Sequence, residues 1–308
     1  MKKPGFILLF PVVMFTMYPG SLSRKNIVFS KTEEGVLLLD DNNPRFFYQT
    51  ATKSLDGKYP RTNYIHPLWG MNGDTLTEDF PEDHLHHRGI FWTWHQLWSG
   101  NKRLADPWFC ENIEWRVDSI NTLTTNKKAI LWAVVTWIIQ DNETGEKNTV
   151  LTEDVYIEYI PYKNFYELTF SIKLTPLIED LRLGGSENLK EYGGFSARIE
   201  LPESPVFYCY KGIVKPESTP VEAGGWVQLQ LPGKNTSIIL MCQPEAMPGF
   251  KGWILREKKS MQNAAFPGTE PISISQKSPL IFKSSILVCS GKMPEKTIYK
   301  LYKQFQKK

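Results

Sequence analysis

The feature that most constrains this chain is a period of two. Ile113, Trp115 and Val117 alternate with Glu114, Arg116 and Asp118, and Tyr166, Leu168, Phe170, Ile172 and Leu174 alternate with Glu167, Thr169, Ser171 and Lys173. Successive side chains of a strand point to opposite faces, so this pattern buries one face and wets the other. Val150 to Ile160 and Phe165 to Leu174, joined through Pro161-Tyr162-Lys163-Asn164, read as an antiparallel hairpin. Further strands are expected near Ile27–Phe29, Val36–Leu39, Arg45–Gln49, Ala129–Gln140, Gly194–Leu201, Trp226–Leu231, Ser237–Cys242 and Leu280–Val288. Helical periodicity is confined to the C-terminus, where Pro294 precedes Ile298, Leu301, Tyr302 and Phe305 on one face. Many short strands, one short helix and no βαβ rhythm predict an all-β fold, a large antiparallel β-sandwich. Pro202 to Gly225 is expected to be a loop excursion, and Asn263 to Gly268 a turn.

With 41% hydrophobic and 22% charged residues, a 308-residue chain can bury a full core without disulfides. Cys110, Cys209, Cys242 and Cys289 are too widely spaced for a zinc ribbon and leave two readings open, buried thiols or one bridge. A net charge of +3, with no basic stripe among stacking aromatics, argues against nucleic acid as a partner. Lys2 and Lys3, the apolar run Phe6 to Met17, and Ser21 and Ser23 before Arg24 have the layout of a secretory signal peptide over residues 1–23. The expected organisation is therefore an exported protein, periplasmic or extracellular, with one β-sandwich domain over 24–308 and no membrane span in the mature chain.

All five histidines, His66, His84, His86, His87 and His95, fall in one window that is also rich in acids and tryptophans. On an extended segment His84 and His86 would share a face and His87 would take the other. Two readings follow. His84 and His86, with a third imidazole from His66 or His95 and a carboxylate from Glu78, Asp79, Glu82 or Asp83, would hold one divalent metal ion. Without metal, His84, His86 and His87 would act as general acids or bases with Glu78 or Glu191 as partner carboxylate, and Arg88 would orient the substrate. His66, His95 and Arg256 are candidate substrate contacts, and Trp69, Trp92, Trp94 and Trp98 are candidate apolar walls for a sugar ring. Gly193 and Gly194 would let a ligand or another strand approach closely. No phosphate-binding loop, serine elbow or dinucleotide fingerprint is present.

Tyr64-Ile65-His66-Pro67, Thr77-Glu78-Asp79-Phe80-Pro81 and His84-Leu85-His86-His87-Arg88-Gly89-Ile90 resemble a family of exported bacterial proteins labelled the PmoA family, as do Tyr192-Gly193-Gly194-Phe195 and the Asn263-to-Gly268 segment. The label echoes a membrane subunit of methane monooxygenase, but this chain has no span with which to be one. The resemblance implies a place in carbohydrate use. The motif is more loosely similar to the β-sandwich of aldose epimerases, which implies a galactose-mutarotase-like supersandwich, histidines that polarise or protonate a ring oxygen, and a carboxylate base. The expected function is a hydrolase, lyase or epimerase acting on a small sugar or oligosaccharide. A non-catalytic glycan-binding module and a metal-dependent oxygenase are the alternatives.

Overall fold

The computed structural model describes residues 26–141, 144–258 and 261–308. The expected signal peptide at residues 1–23 lies outside the described residues. Two large antiparallel sheets dominate. The first runs, edge to edge, Ile27–Lys31, Gly35–Asp40, Asn43–Gln49, Tyr64–Leu68, Ile90–Trp94, Gly193–Ala197, Gln262–Ala265 and Gly252–Ile254. The second runs Glu114–Thr124, Ala129–Gln140, Lys147–Pro161, Phe165–Pro176, Leu280–Ser290, Thr236–Cys242, Trp226–Leu231, Val206–Cys209 and Gly212–Ile213. The predicted hairpin is present: Pro161 pairs with Tyr166, and Tyr162 N–H donates to Phe165 O at 2.9 Å across the turn.

The sheets face each other across one apolar core, as their alternation requires. Trp92 meets Phe170 at 6.1 Å between centroids, and Trp94 meets Phe282 at 5.9 Å. Residues of this size contribute roughly 1.5–3 kcal/mol each when fully buried. The C-terminal helix Glu295–Phe305 lays Ile298, Tyr302 and Phe305 against Trp226, Ile239 and Leu287 on the outer face of the second sheet. Among the described residues, no helix is long and apolar enough to cross a membrane.

Two local expectations change, and of the two readings left open for the cysteines, buried thiols hold. The stretch read as a loop excursion carries the edge hairpin Val206–Cys209 and Gly212–Ile213. The segment read as a turn begins inside a strand, because Gln262–Ala265 is paired on both sides. All four cysteines are buried and unbridged.

Both sheets also enclose a carboxylate. Glu153 is fully buried and accepts hydrogen bonds from Asn63 Nδ2 at 2.9 Å, Trp137 Nε1 at 2.7 Å and Trp92 Nε1. Burial pushes its carboxyl above the usual range, against the pull of those three donors. Tyr48 donates to Asn63 Oδ1 at 2.6 Å and completes the network.

Candidate acid/base site

The site lies on the outer face of the first sheet. Along Ile90–Trp94 the even-numbered residues enter the core, while Phe91 belongs to a separate apolar cluster with Tyr64, Trp108 and Met261. Trp92, expected as a sugar-stacking wall, therefore points into the core and donates to Glu153. Trp94 is buried the same way, and Trp98 lies near Arg103 and Arg182. Trp108 and Phe109, from the loop after Asp106, wall the histidines instead. Sequence reading missed them because that loop lies outside the histidine window.

The histidine loop is not extended. His84 N–H donates to Pro81 O at 3.0 Å and His87 N–H to His84 O at 2.8 Å, so two turns follow in succession. A turn brings residues i and i+3 together. His84 and His87 accordingly stack, with centroids 4.6 Å apart and planes 2° from parallel. His86 stands edge-on to His87 at 4.5 Å and to His84 at 5.7 Å. The expected pairing of His84 and His86 on one face fails for this reason. Gly89 ends the loop where only a glycine fits, since a Cβ there would lie 2.1 Å from the Ile65 carbonyl oxygen.

Two buried arginines pin the loop. Arg88, expected to orient a substrate, is 0% exposed. Its guanidinium lies 3.3 Å from the Phe80 ring centroid, donates to Leu85 O at 3.2 Å and to Tyr59 O, and pairs with Asp79 at 3.5 Å. It anchors the loop from beneath and presents no surface to a ligand. Arg198 is also buried. It donates from Nε to Glu78 Oε2 at 2.6 Å and from Nη2 to Asp83 Oδ1 at 2.6 Å. Glu78 is thus the partner of an arginine, and Glu191 turns toward Lys251 at 3.4 Å.

Two carboxylate–imidazole pairs result. Asp83 Oδ2 lies 2.7 Å from His84 Nδ1. Burial would raise the Asp83 carboxyl, but the hydrogen bonds from Arg198 and His84 outweigh it and hold it below the usual range. Asp106 Oδ2 lies 3.2 Å from His95 Nδ1, and Arg103 Nη2 reaches the same oxygen at 3.3 Å. Its other oxygen accepts the backbone N–H groups of Trp108 and Phe109 at 3.1 and 3.2 Å. His95 stacks on Trp108 at 5.0 Å. In each pair Nδ1–H donates to the carboxylate, so the neutral ring keeps its lone pair on Nε2.

Between the pairs, His86 is nearly buried, and the exposed Phe109 ring touches both it, at 4.7 Å, and His95, at 5.2 Å. Burial, reinforced by the charges of His84 and Arg61, lowers His86 to about 3. Burial and the neighbouring histidines push His87 well below its ordinary value. His66, 3.0 Å from Thr77 Oγ1, is lowered mainly by burial. At neutral pH His86 and His87 are uncharged hydrogen-bonding groups.

The ligand set expected for a metal is not assembled. The expected ligands His84 and His86 stand edge-on with centroids 5.7 Å apart, and His84 Nδ1 is taken up by Asp83. Among the described residues, no group of three or more His, Cys, Asp or Glu is arranged to hold a metal.

Arg256, a predicted substrate contact, borders this site through Tyr192. Its Nη2 donates to the Tyr192 hydroxyl at 2.8 Å, and the Tyr192 ring lies 5.6 Å from Trp108. Gly194 makes room for the core ring of Phe266 and not for a ligand: its φ is +88°, and a Cβ there would meet that ring at 2.4 Å.

The chain belongs to a family of unknown function, DUF6807, whose model matches residues 35–303. That description carries no PmoA label. No curated protein matches the chain. Among solved structures, a galactose mutarotase-like protein from Lactobacillus casei shares 6% identity over 85% of this chain and 100% of its own, with a TM-score of 0.40. A protein assigned as a mutarotase from Salmonella typhimurium shares 12% identity over 86% and 94%, with a TM-score of 0.41. One assigned as an aldose 1-epimerase from Klebsiella pneumoniae shares 6% over 94% and 86%, with a TM-score of 0.42. Likeness at this level transfers neither residue roles nor activity.

Proposed function

We propose that this member of the DUF6807 family is an exported, single-domain enzyme that performs acid/base chemistry at the acetal or hemiacetal carbon of a sugar. The observation that carries this reading is the duplication of one device: His84 on Asp83 and His95 on Asp106, each carboxylate braced by an arginine. A carboxylate on Nδ1 orients the imidazole and stabilises its protonated form, which suits Nε2 to proton transfer. In the proposed reaction one ring takes a proton from a hydroxyl or water. The other, protonated, gives one to the oxygen leaving the anomeric carbon. His86, neutral and nearly buried, hydrogen-bonds the substrate without adding charge, and His87, packed behind it against His84 and Trp108, holds the imidazoles in place. Phe109 and Tyr192 supply flat apolar contact for a pyranose face, with the buried Trp108 packed behind them.

The test is a panel of reducing sugars and glycosides incubated with the protein and followed by proton NMR of the anomeric signals. His84→Ala and His95→Ala are each expected to slow turnover by about 10²–10⁴-fold, the usual worth of a general acid or base. Turnover unchanged in both variants, or no sugar altered by the wild type, would remove the reading. The export component is checked separately by N-terminal sequencing of protein recovered from the periplasm or medium, with cleavage expected after Ser23.

A further inference from the structure

Beyond Tyr192 lies a hollow of about 380 Å³ that the acid/base chemistry does not use, lined by Lys190, Glu217, Ser218, Arg256, Glu257 and Lys258 among others. It is open to solvent along much of its length, as a groove that holds one unit of a longer ligand would be. Tyr192 stands between the hollow and the histidine site, joined to the lining through Arg256. Its ring lies against Trp108, which stacks on His95, and its hydroxyl accepts from Arg256. Arg256 also donates to Glu217 O at 2.6 Å and Ser218 O at 3.2 Å, which ties it to the segment lining the hollow. The other charged side chains differ from those around the histidines. Arg198, Arg88 and Arg103 are each tied to a carboxylate. Among the described residues, Lys190, Glu217, Glu257 and Lys258 form no ion pair.

We infer that this hollow is the subsite for a second sugar unit, so that the substrate is a disaccharide or longer glycoside rather than a free monosaccharide. The inference rests on the acid/base reading for the place of the reacting sugar. Its own basis is chemical. Two lysines offer donors, two glutamates offer acceptors and Ser218 offers both, with no internal pairing to break. Ligands with many hydroxyls use such a mixture, whereas a small ion would call for one sign of charge. Contacts from His95 to Trp108, Trp108 to Tyr192 and Tyr192 to Arg256 set the hollow beside the histidine site, within reach of adjoining sugar units.

The experiment is calorimetric titration of the full chain with glucose, galactose, mannose and xylose, and with cellobiose, lactose, mannobiose and xylobiose. Wild type, Lys190→Ala/Lys258→Ala and His84→Ala are compared. At least one disaccharide is expected to bind the wild type tenfold or more tightly than either of its component monosaccharides. That advantage is expected to fall to within twofold in Lys190→Ala/Lys258→Ala and to persist in His84→Ala. Equal affinities for mono- and disaccharides, an advantage unchanged in the double variant, or no binding of any disaccharide would each overturn the subsite. Failure of the acid/base reading shows elsewhere, as unchanged turnover in His84→Ala and His95→Ala while the disaccharide preference remains.

Discussion

Asp83 Oδ2 sits 2.7 Å from His84 Nδ1 while Asp83 Oδ1 is held by Arg198 at 2.6 Å, so one carboxylate both orients an imidazole and neutralises a buried guanidinium. The two tasks reinforce each other. Arg198 fixes the carboxylate, and the fixed carboxylate limits how His84 can turn.

Removing that carboxylate strands Arg198, whose side chain is 1% exposed, with Glu78 as its one remaining anion. Asp83→Ala is expected to cost about 1–3 kcal/mol, the usual cost of leaving buried donors unpaired while Glu78 still offsets the charge, read as a fall in the urea midpoint at pH 7. The folded Asp83 carboxyl is held below its unfolded value. Its stabilisation is therefore complete above roughly pH 3.9 and is lost as pH falls through the depressed value. The gap between wild type and Asp83→Ala should narrow in that acidic window. A gap that is constant down to pH 2 would contradict the pairing.

His86 supplies a second pH signature, in a different window. Its folded pKa, about 3, lies below the unfolded value, so the unfolded chain binds the extra proton between roughly pH 6.5 and 3. Stability from the neutral ring is full above 6.5 and declines on acidification at up to about 1.4 kcal/mol per pH unit. His86→Leu removes that proton, and its stability curve between pH 6.5 and 4 should be shallower by up to this slope. Parallel curves from urea titrations at several pH values would show that His86 is not held neutral.

Glu153 is expected to be the most sensitive polar position in the core. Glu153→Leu leaves the side-chain donors of Asn63, Trp92 and Trp137 without their acceptor. Each buried unsatisfied donor costs about 1–3 kcal/mol, so a loss of several kcal/mol or failure to fold is expected. Glu153→Gln keeps one acceptor oxygen and should lose less. Chemical denaturation of the pair, with Glu153→Gln the more stable, checks the network.

Arg88→Ala tests whether this arginine anchors the loop or meets a ligand. Losing it leaves Asp79, whose side chain is 4% exposed, without its buried guanidinium and empties the space over the Phe80 ring. A destabilisation of about 3–5 kcal/mol is expected. Wild-type stability together with lost sugar binding would return Arg88 to the binding role its sequence position suggests.

The hairpin from Lys147 to Pro176 and the helix from Glu295 to Phe305 were legible in the residues because each rests on a local rule. Strand alternation and helical spacing are set by backbone geometry, and apolar residues at those intervals have one economical way to be buried. The density of histidines located the candidate site for a similar reason, since five titratable rings in one stretch are a property of the chain itself. The assignment of tasks within that stretch was not local. His84 and His86 looked paired because a period of two was carried into a segment that turns twice, which stacks His84 on His87 instead. Trp92 and Arg88 looked exposed because tryptophan and arginine often meet sugars, yet the strand face buries one and Phe80 covers the other. Asp106 and Trp108 lie beyond the histidine window, and Arg198 and Tyr192 come from far along the chain; they meet the histidines, or Trp108 in the case of Tyr192, because antiparallel pairing sets their strands and loops side by side. Sequence alone thus determined which backbone shapes form and where titratable groups concentrate. Which carboxylate meets which imidazole, and which arginine is sealed from water, are long-range contacts that only the packed tertiary structure decides.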